Sequence, residues 1–147
     1  MKSRNAIYLA LSMMVINVLA CSIIFGDSQR YQSEVVEVSA DVNWNSAGVF
    51  VSEGDKLTIR YLSGKWSPWP GGRYDAIGSG GDPRCRCNVM DGISHAALIG
   101  KIGDNEPFFI GDQYFHQVGE TGELFLGIND MDLYDNSGSL RVRVEIE

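Results

Sequence analysis

Ser139-Leu140-Arg141-Val142-Arg143-Val144-Glu145-Ile146 alternates apolar and polar side chains without a break. An extended chain turns successive side chains to opposite faces. Leu140, Val142, Val144 and Ile146 therefore form one apolar row, and Arg141, Arg143 and Glu145 a solvated one. The stretch reads as a strand with one face in a core. Working backwards, Lys56-Leu57-Thr58-Ile59-Arg60-Tyr61-Leu62 has the same period, with Leu57, Ile59 and Tyr61 on one face. Residues 34–40 place Val36, Val38 and Ala40 together, and 49–51 make a short third piece. Residues 97–102 are more apolar, as a central strand is, and 107–110 follow the turn signal Gly103-Asp104-Asn105-Glu106. Residues 123–129 complete the set. Seven or eight short strands between Gly-rich turns, with no helical period after residue 30, predict an all-β antiparallel β-sandwich. Residues 63–91 break the pattern. Six glycines and three prolines there predict a long loop, ordered by Trp66, Trp69 and Tyr74.

The beginning of the chain has another character. Lys2 and Arg4 precede an apolar run over 6–20, and Val18-Leu19-Ala20-Cys21-Ser22 follows. A basic start, a short apolar core and a small residue at the boundary predict a bacterial-type export signal. Cys after Ala predicts a lipobox, with Cys21 as the lipidated residue. A cleaved signal without lipid and an uncleaved membrane helix over 6–25 are the alternatives. All three place the rest outside the cytoplasm, as a membrane-anchored lipoprotein of the cell envelope or as a periplasmic or secreted protein. The organisation that follows is an export signal over 1–21, a linker over 22–33 and one domain over 34–147. Beyond Cys21 stand ten basic and nineteen acidic residues, a formal charge of about −9. That balance argues against nucleic acid, whose phosphates demand a basic footprint. In an oxidising compartment Cys85 and Cys87 are read as a disulfide. A zinc site with His95 and free thiols are the alternatives, and the zinc spacing fits no common pattern.

Asn129-Asp130-Met131-Asp132-Leu133-Tyr134-Asp135-Asn136 puts three carboxylates and two amides into eight residues before the last strand. Oxygen-rich loops of this kind suit Ca²⁺, which takes about 6–8 oxygen ligands in flexible geometry. The plain alternative is a hydrated turn held by Asx interactions. An EF-hand is excluded, because Tyr134 and Asp135 stand where a ligand and the obligatory Gly belong. Enzymatic readings find no support. Ser94 and His95 are adjacent and badly placed as nucleophile and base, and Gly78-Ser79-Gly80-Gly81 lacks a strand–turn–helix setting. His116 is expected at a strand edge.

Trp44, Ala47-Gly48-Val49, Gly54-Asp55-Lys56-Leu57-Thr58-Ile59, Ser63-Gly64-Lys65-Trp66, Ala97-Leu98-Ile99-Gly100-Lys101-Ile102-Gly103, Gly127-Ile128-Asn129-Asp130 and Asn136-Ser137-Gly138-Ser139-Leu140 together resemble the LecA/PA-IL family of bacterial galactose-binding lectins. The resemblance runs over about 34–147. It implies a jelly-roll, galactose-binding-like sandwich and a Ca²⁺ at the loop tips that takes sugar hydroxyls. It also implies ligands: the side chains of Asp130, Asp135 and Asn136, a main-chain carbonyl at Trp69, and a mid-loop carbonyl from Asp132 or Leu133. Between Asp130 and Asn136 this chain is two residues shorter than the family. Trp69, Arg86, Asp130, Met131 and Asp135 are the implied sugar contacts. Pro83 and Arg86 stand near the places of a family His and Gln, which leaves galactose specificity open, and the N-terminal membrane signal, which the family's soluble lectin lacks, leaves a homo-oligomer open. The expected function is calcium-dependent carbohydrate binding, galactosides included, without catalysis. The alternative is a cell-surface structural or protein-interaction module in which calcium only orders loops.

Overall fold

The computed structural model describes residues 31–81 and 86–147. The export signal, the Cys21 lipidation site, most of the linker, Pro83 and Cys85 lie outside the described residues. Among the described residues no helix is long and apolar enough to cross a membrane.

Among the described residues eight strands follow one another: β1 (Gln32–Ser39), β2 (Asn45–Val51), β3 (Lys56–Ser67), β4 (Leu98–Ile102), β5 (Phe108–Phe109), β6 (Gln113–Gln117), β7 (Gly122–Ile128) and β8 (Ser137–Ile146). They form two antiparallel four-stranded sheets, ordered β1-β8-β3-β6 and β2-β7-β4-β5. The all-β sandwich expected from the alternation is the fold observed. β8 is a central strand, paired to β3 along its whole length and to β1 from Ser139 to Ile146. Its apolar row, Leu140, Val142, Val144 and Ile146, is buried, facing the second sheet's Leu124, Leu126 and Ile128 in a single core. Each such side chain contributes about 1.5–3 kcal/mol on burial. On the opposite face Glu37 stands across from Arg141, an opposite-charge pair that favours this register.

Two elements differ from the expectation. The first is β3, which does not end near residue 62 but continues to Ser67. A register shift between Tyr61 and Ser63 leaves Leu62 unpaired and exposed. Before it, the odd residues Leu57 and Ile59 face the core; after it, Trp66 does, at 1% exposure. A side-chain period of 2 would otherwise turn Trp66 to solvent, so the extra residue switches the inward parity. Trp66 thus belongs to the sandwich, and the long loop begins only after Ser67. The second is β6, which pairs with the first half of β3 from Lys56↔Gln117 to Arg60↔Gln113. Gln-Tyr-Phe-His-Gln carries no apolar alternation because it is an edge strand and mostly exposed.

Candidate functional site

The turn between β7 and β8 crosses from one sheet to the other. Its first residue, Asn129, is fully buried and serves as a clip. Its Oδ1 accepts from Met90 N (2.7 Å), and its Nδ2 donates to the carbonyls of Met90, Ile93 and Ser94 at 3.2 Å each. Its backbone exchanges hydrogen bonds with Ala96 and Ala97, carrying the β4–β7 pairing one step past the strands. Met131 N donates to Cys87 O (2.8 Å), which ties the acidic turn to the 86–95 loop. Cys87 is disulfide-bonded, its partner lying outside the described residues.

Ala96 is held in the left-handed region at φ 61° and is fully buried. A non-glycine residue there is strained and persists only where its surroundings over-determine it. Three contacts do so: Trp66 Nε1 donates to Ala96 O (2.9 Å), Ala96 N to Asn129 O (3.1 Å), and Ala97 N to Ser94 O (3.1 Å). Gly78 packs beneath, at φ +84°, where a Cβ would strike the His95 carbonyl and the Ala97 amide. The strained residue sets the direction of its neighbour, His95.

His95 is buried and stacks on Trp69, ring centroids 5.4 Å apart and planes 4° from parallel. Tyr74 meets Trp69 edge-on at 5.4 Å. Asn88 Nδ2 donates to Ile93 O (3.2 Å), which fixes the amide so that its Oδ1 faces His95 Nδ1 at 2.8 Å. Nδ1 is then the protonated nitrogen, and in the neutral ring Nε2 is an acceptor. That nitrogen lies 3.8 Å from Asp130 Oδ2, beyond hydrogen-bond distance.

Asp130 is 3% exposed. Its Oδ1 accepts from Asp132 N (3.0 Å), an Asx turn that sets the loop's direction. Burial pushes its carboxyl above the usual value, and the Asp132 carboxylate adds to the rise. The Asp132 amide, His95 and the Asn136 amide pull the other way. Asn136, at the far end of the turn, donates from Nδ2 to Ala40 O (3.2 Å). Among the described residues its buried Oδ1 has no hydrogen-bond partner. Exchanging the amide's oxygen and nitrogen would set two acceptors against each other at Ala40, so the assignment stands on chemistry.

The other sequence-predicted residues divide. Asp132 Oδ1 accepts from Tyr134 N (3.2 Å), while its main-chain carbonyl accepts no hydrogen bond among the described residues. The Leu133 carbonyl accepts from Asn136 N (3.3 Å). The Trp69 carbonyl accepts from Gly72 N (3.0 Å) within its own turn, and Ser67 Oγ, whose single proton is shared between the Trp69 and Gly72 carbonyls, lies 2.8 Å away. Asp135, Met131 and Arg86 are exposed at the surface. Ser94 Oγ accepts from Gly80 N (2.8 Å) and reaches the His95 carbonyl (3.3 Å), while the His95 ring turns to Asn88 and Asp130. Among the described residues no three His, Cys, Asp or Glu side chains converge as a metal cluster. Sequence reasoning weighed His95 only as a zinc ligand or a catalytic base and missed its place beside Asp130. His95 reaches Asp130 across 35 positions through the β4–β7 pairing, and no local motif marks it.

No family model matches the sequence, and no curated protein matches it. A solved structure described as "EclA N-terminal domain; PllA-like lectin" superposes with a TM-score of 0.57 at 23% identity, covering 78% of this chain and 96% of that one. The fold is shared with a lectin domain. At this identity the likeness speaks for the two-sheet architecture, and the chemistry of the rim rests on this chain's own residues.

Proposed function

We propose that this chain is a non-catalytic, calcium-dependent carbohydrate-binding domain of the bacterial envelope, related to the LecA-type lectins, with galactosides as the first ligands to test. The observation that carries the reading is the buried, partnerless Asn136 Oδ1 in the same turn as the buried Asp130 carboxylate. An unsatisfied buried polar group costs about 1–3 kcal/mol. A hard cation offsets that cost and neutralises Asp130. The donors are oxygens, which suit Ca²⁺ better than a softer metal. Asp130, Asn136 and the Asp132 carbonyl would hold the ion, with Asp135 the further carboxylate of the turn. Bound there, the ion supplies a charged partner for neighbouring sugar hydroxyls.

The chain's own residues supply the rest. His95 Nε2, its tautomer set through Asn88, accepts a hydrogen bond from a ligand hydroxyl. Trp69, braced by His95 and Tyr74, offers an apolar edge to the C–H face of a sugar. Arg86 and Met131 are exposed on the adjoining loops and contribute outer contacts.

A second reading has one observation in its favour. His95 covers one face of the Trp69 indole, so part of the expected stacking platform is already used. In this reading calcium orders the loops and the partner is a protein. Titration calorimetry on the full chain separates the two. Galactoside heat that vanishes with chelator and in Asn136→Ala supports the lectin. Calcium heat without heat from any of a panel of monosaccharides favours the second reading. Absence of calcium heat overturns both.

A further inference from the structure

We propose that β6 is the contact strand of a homodimer, pairing antiparallel with β6 of a second copy about Phe115. Among the described residues the sandwich has four edge strands, β1, β6, β2 and β5. An open edge invites pairing with another chain unless charge, irregularity or shortness blunts it. β1 carries Glu34 and Glu37. β2 is interrupted by a register irregularity between Ser46 and Phe50. β5 is two residues long. β6 alone, Gln113-Tyr114-Phe115-His116-Gln117, has no Lys, Arg, Asp or Glu, no proline and regular pairing with β3 over all five residues.

The phase of the strand fits this use. Tyr61 N donates to Asp112 O, and Val118 exchanges hydrogen bonds with Asp55 and Gly54. Residues 112 and 118 therefore turn their backbone towards β3, as do 114 and 116 between them. Gln113, Phe115 and Gln117 turn N–H and C=O to the open side. A two-fold axis through Phe115 sets Phe115 opposite Phe115, and Gln113 opposite Gln117. Each outward group meets its complement, and the strand is its own best partner. The side chains agree. Phe115 is 67% exposed, an unusual state for a large aromatic, and two copies would cover one another. The chain's formal charge of −7 opposes self-association, and β6 is an uncharged stretch where two copies approach without placing carboxylates together. The inference is independent of calcium and sugar.

Cross-linking of the full chain tests it. Residues opposite each other in such a pair have Cα atoms about 5.5 Å apart, within disulfide reach. Phe115→Cys is expected to give a covalent dimer on mild oxidation, well above the background of the unmutated chain. Val35→Cys, on the β1 edge and 48% exposed, is expected to give none. A monomeric Phe115→Cys band, or equal cross-linking at both positions, overturns the proposal. In sedimentation, Phe115→Lys, which sets two ammonium groups face to face, is expected to halve the mass with an unchanged circular dichroism spectrum. An unchanged mass overturns the proposal as well.

Discussion

At the scale of single residues, burial sets the behaviour of Asp130. Its raised carboxyl binds a proton more tightly in the folded chain than in the unfolded one, whose value is near 3.8. The resulting stability is present in full below the unfolded value and is lost as pH rises through the folded one. As pH rises through that folded value the metal-free protein takes on an unfavourable buried charge. Asp130→Asn keeps an oxygen for the Asp132 amide and removes that charge. We expect it to raise the melting temperature in chelator at pH 7, to lose that advantage in acid, and to abolish calcium binding. A lower melting temperature at pH 7 would contradict this. Asn129→Ala removes four hydrogen bonds from a buried clip and leaves their partners unmet, so a loss of about 2–4 kcal/mol is expected in urea unfolding. That Asp130 and Asn136 belong to one turn was legible in the sequence, and their burial was not. Nor was the position of His95, because its place at the rim follows from a tertiary pairing and from the strained turn at Ala96.

Among the elements, β3 depends most on one residue. Leu62 makes no pair and buries little, yet it sets which face Trp66 takes. Deleting it restores strict alternation and turns the indole to solvent, away from Ala96 O. We expect that variant to be unfolded or molten, with loss of near-ultraviolet dichroism, whereas Leu62→Ser keeps the residue count and should change stability by less than about 1 kcal/mol. A native-like deletion variant would refute the parity argument. Ala96 offers a second test. Valine at φ 61° is far less tolerable than alanine, so Ala96→Val should cost more than about 2 kcal/mol in urea unfolding, while Ala96→Gly should be close to neutral. Strands with one buried face, such as β8, were legible from period alone. The bulge in β3 and the exposed edge strand β6 were not. One disguises its period by an extra residue, and the other has no buried face to impose one.

For the molecule as a whole, the proposed ion has a thermodynamic signature. A ligand that binds only the folded state adds about 2.7 kcal/mol at one hundred times its dissociation constant. Calcium should raise the melting temperature of the full chain by several degrees, and chelator should reverse the gain. Asn136→Ala should be indifferent to both, and a calcium shift surviving in that variant would place the ion elsewhere.

The acidic turn leaves one layer at Asn129 and enters the other at Asn136, with each end pinned to a different part of the framework. Between those anchors Tyr134 stands 97% exposed, and Met131, Asp132 and Asp135 are also at the surface. The arch resembles a bridge with fixed abutments and a replaceable span. Substitutions in the span can change what it offers to solvent while the two banks stay where they are.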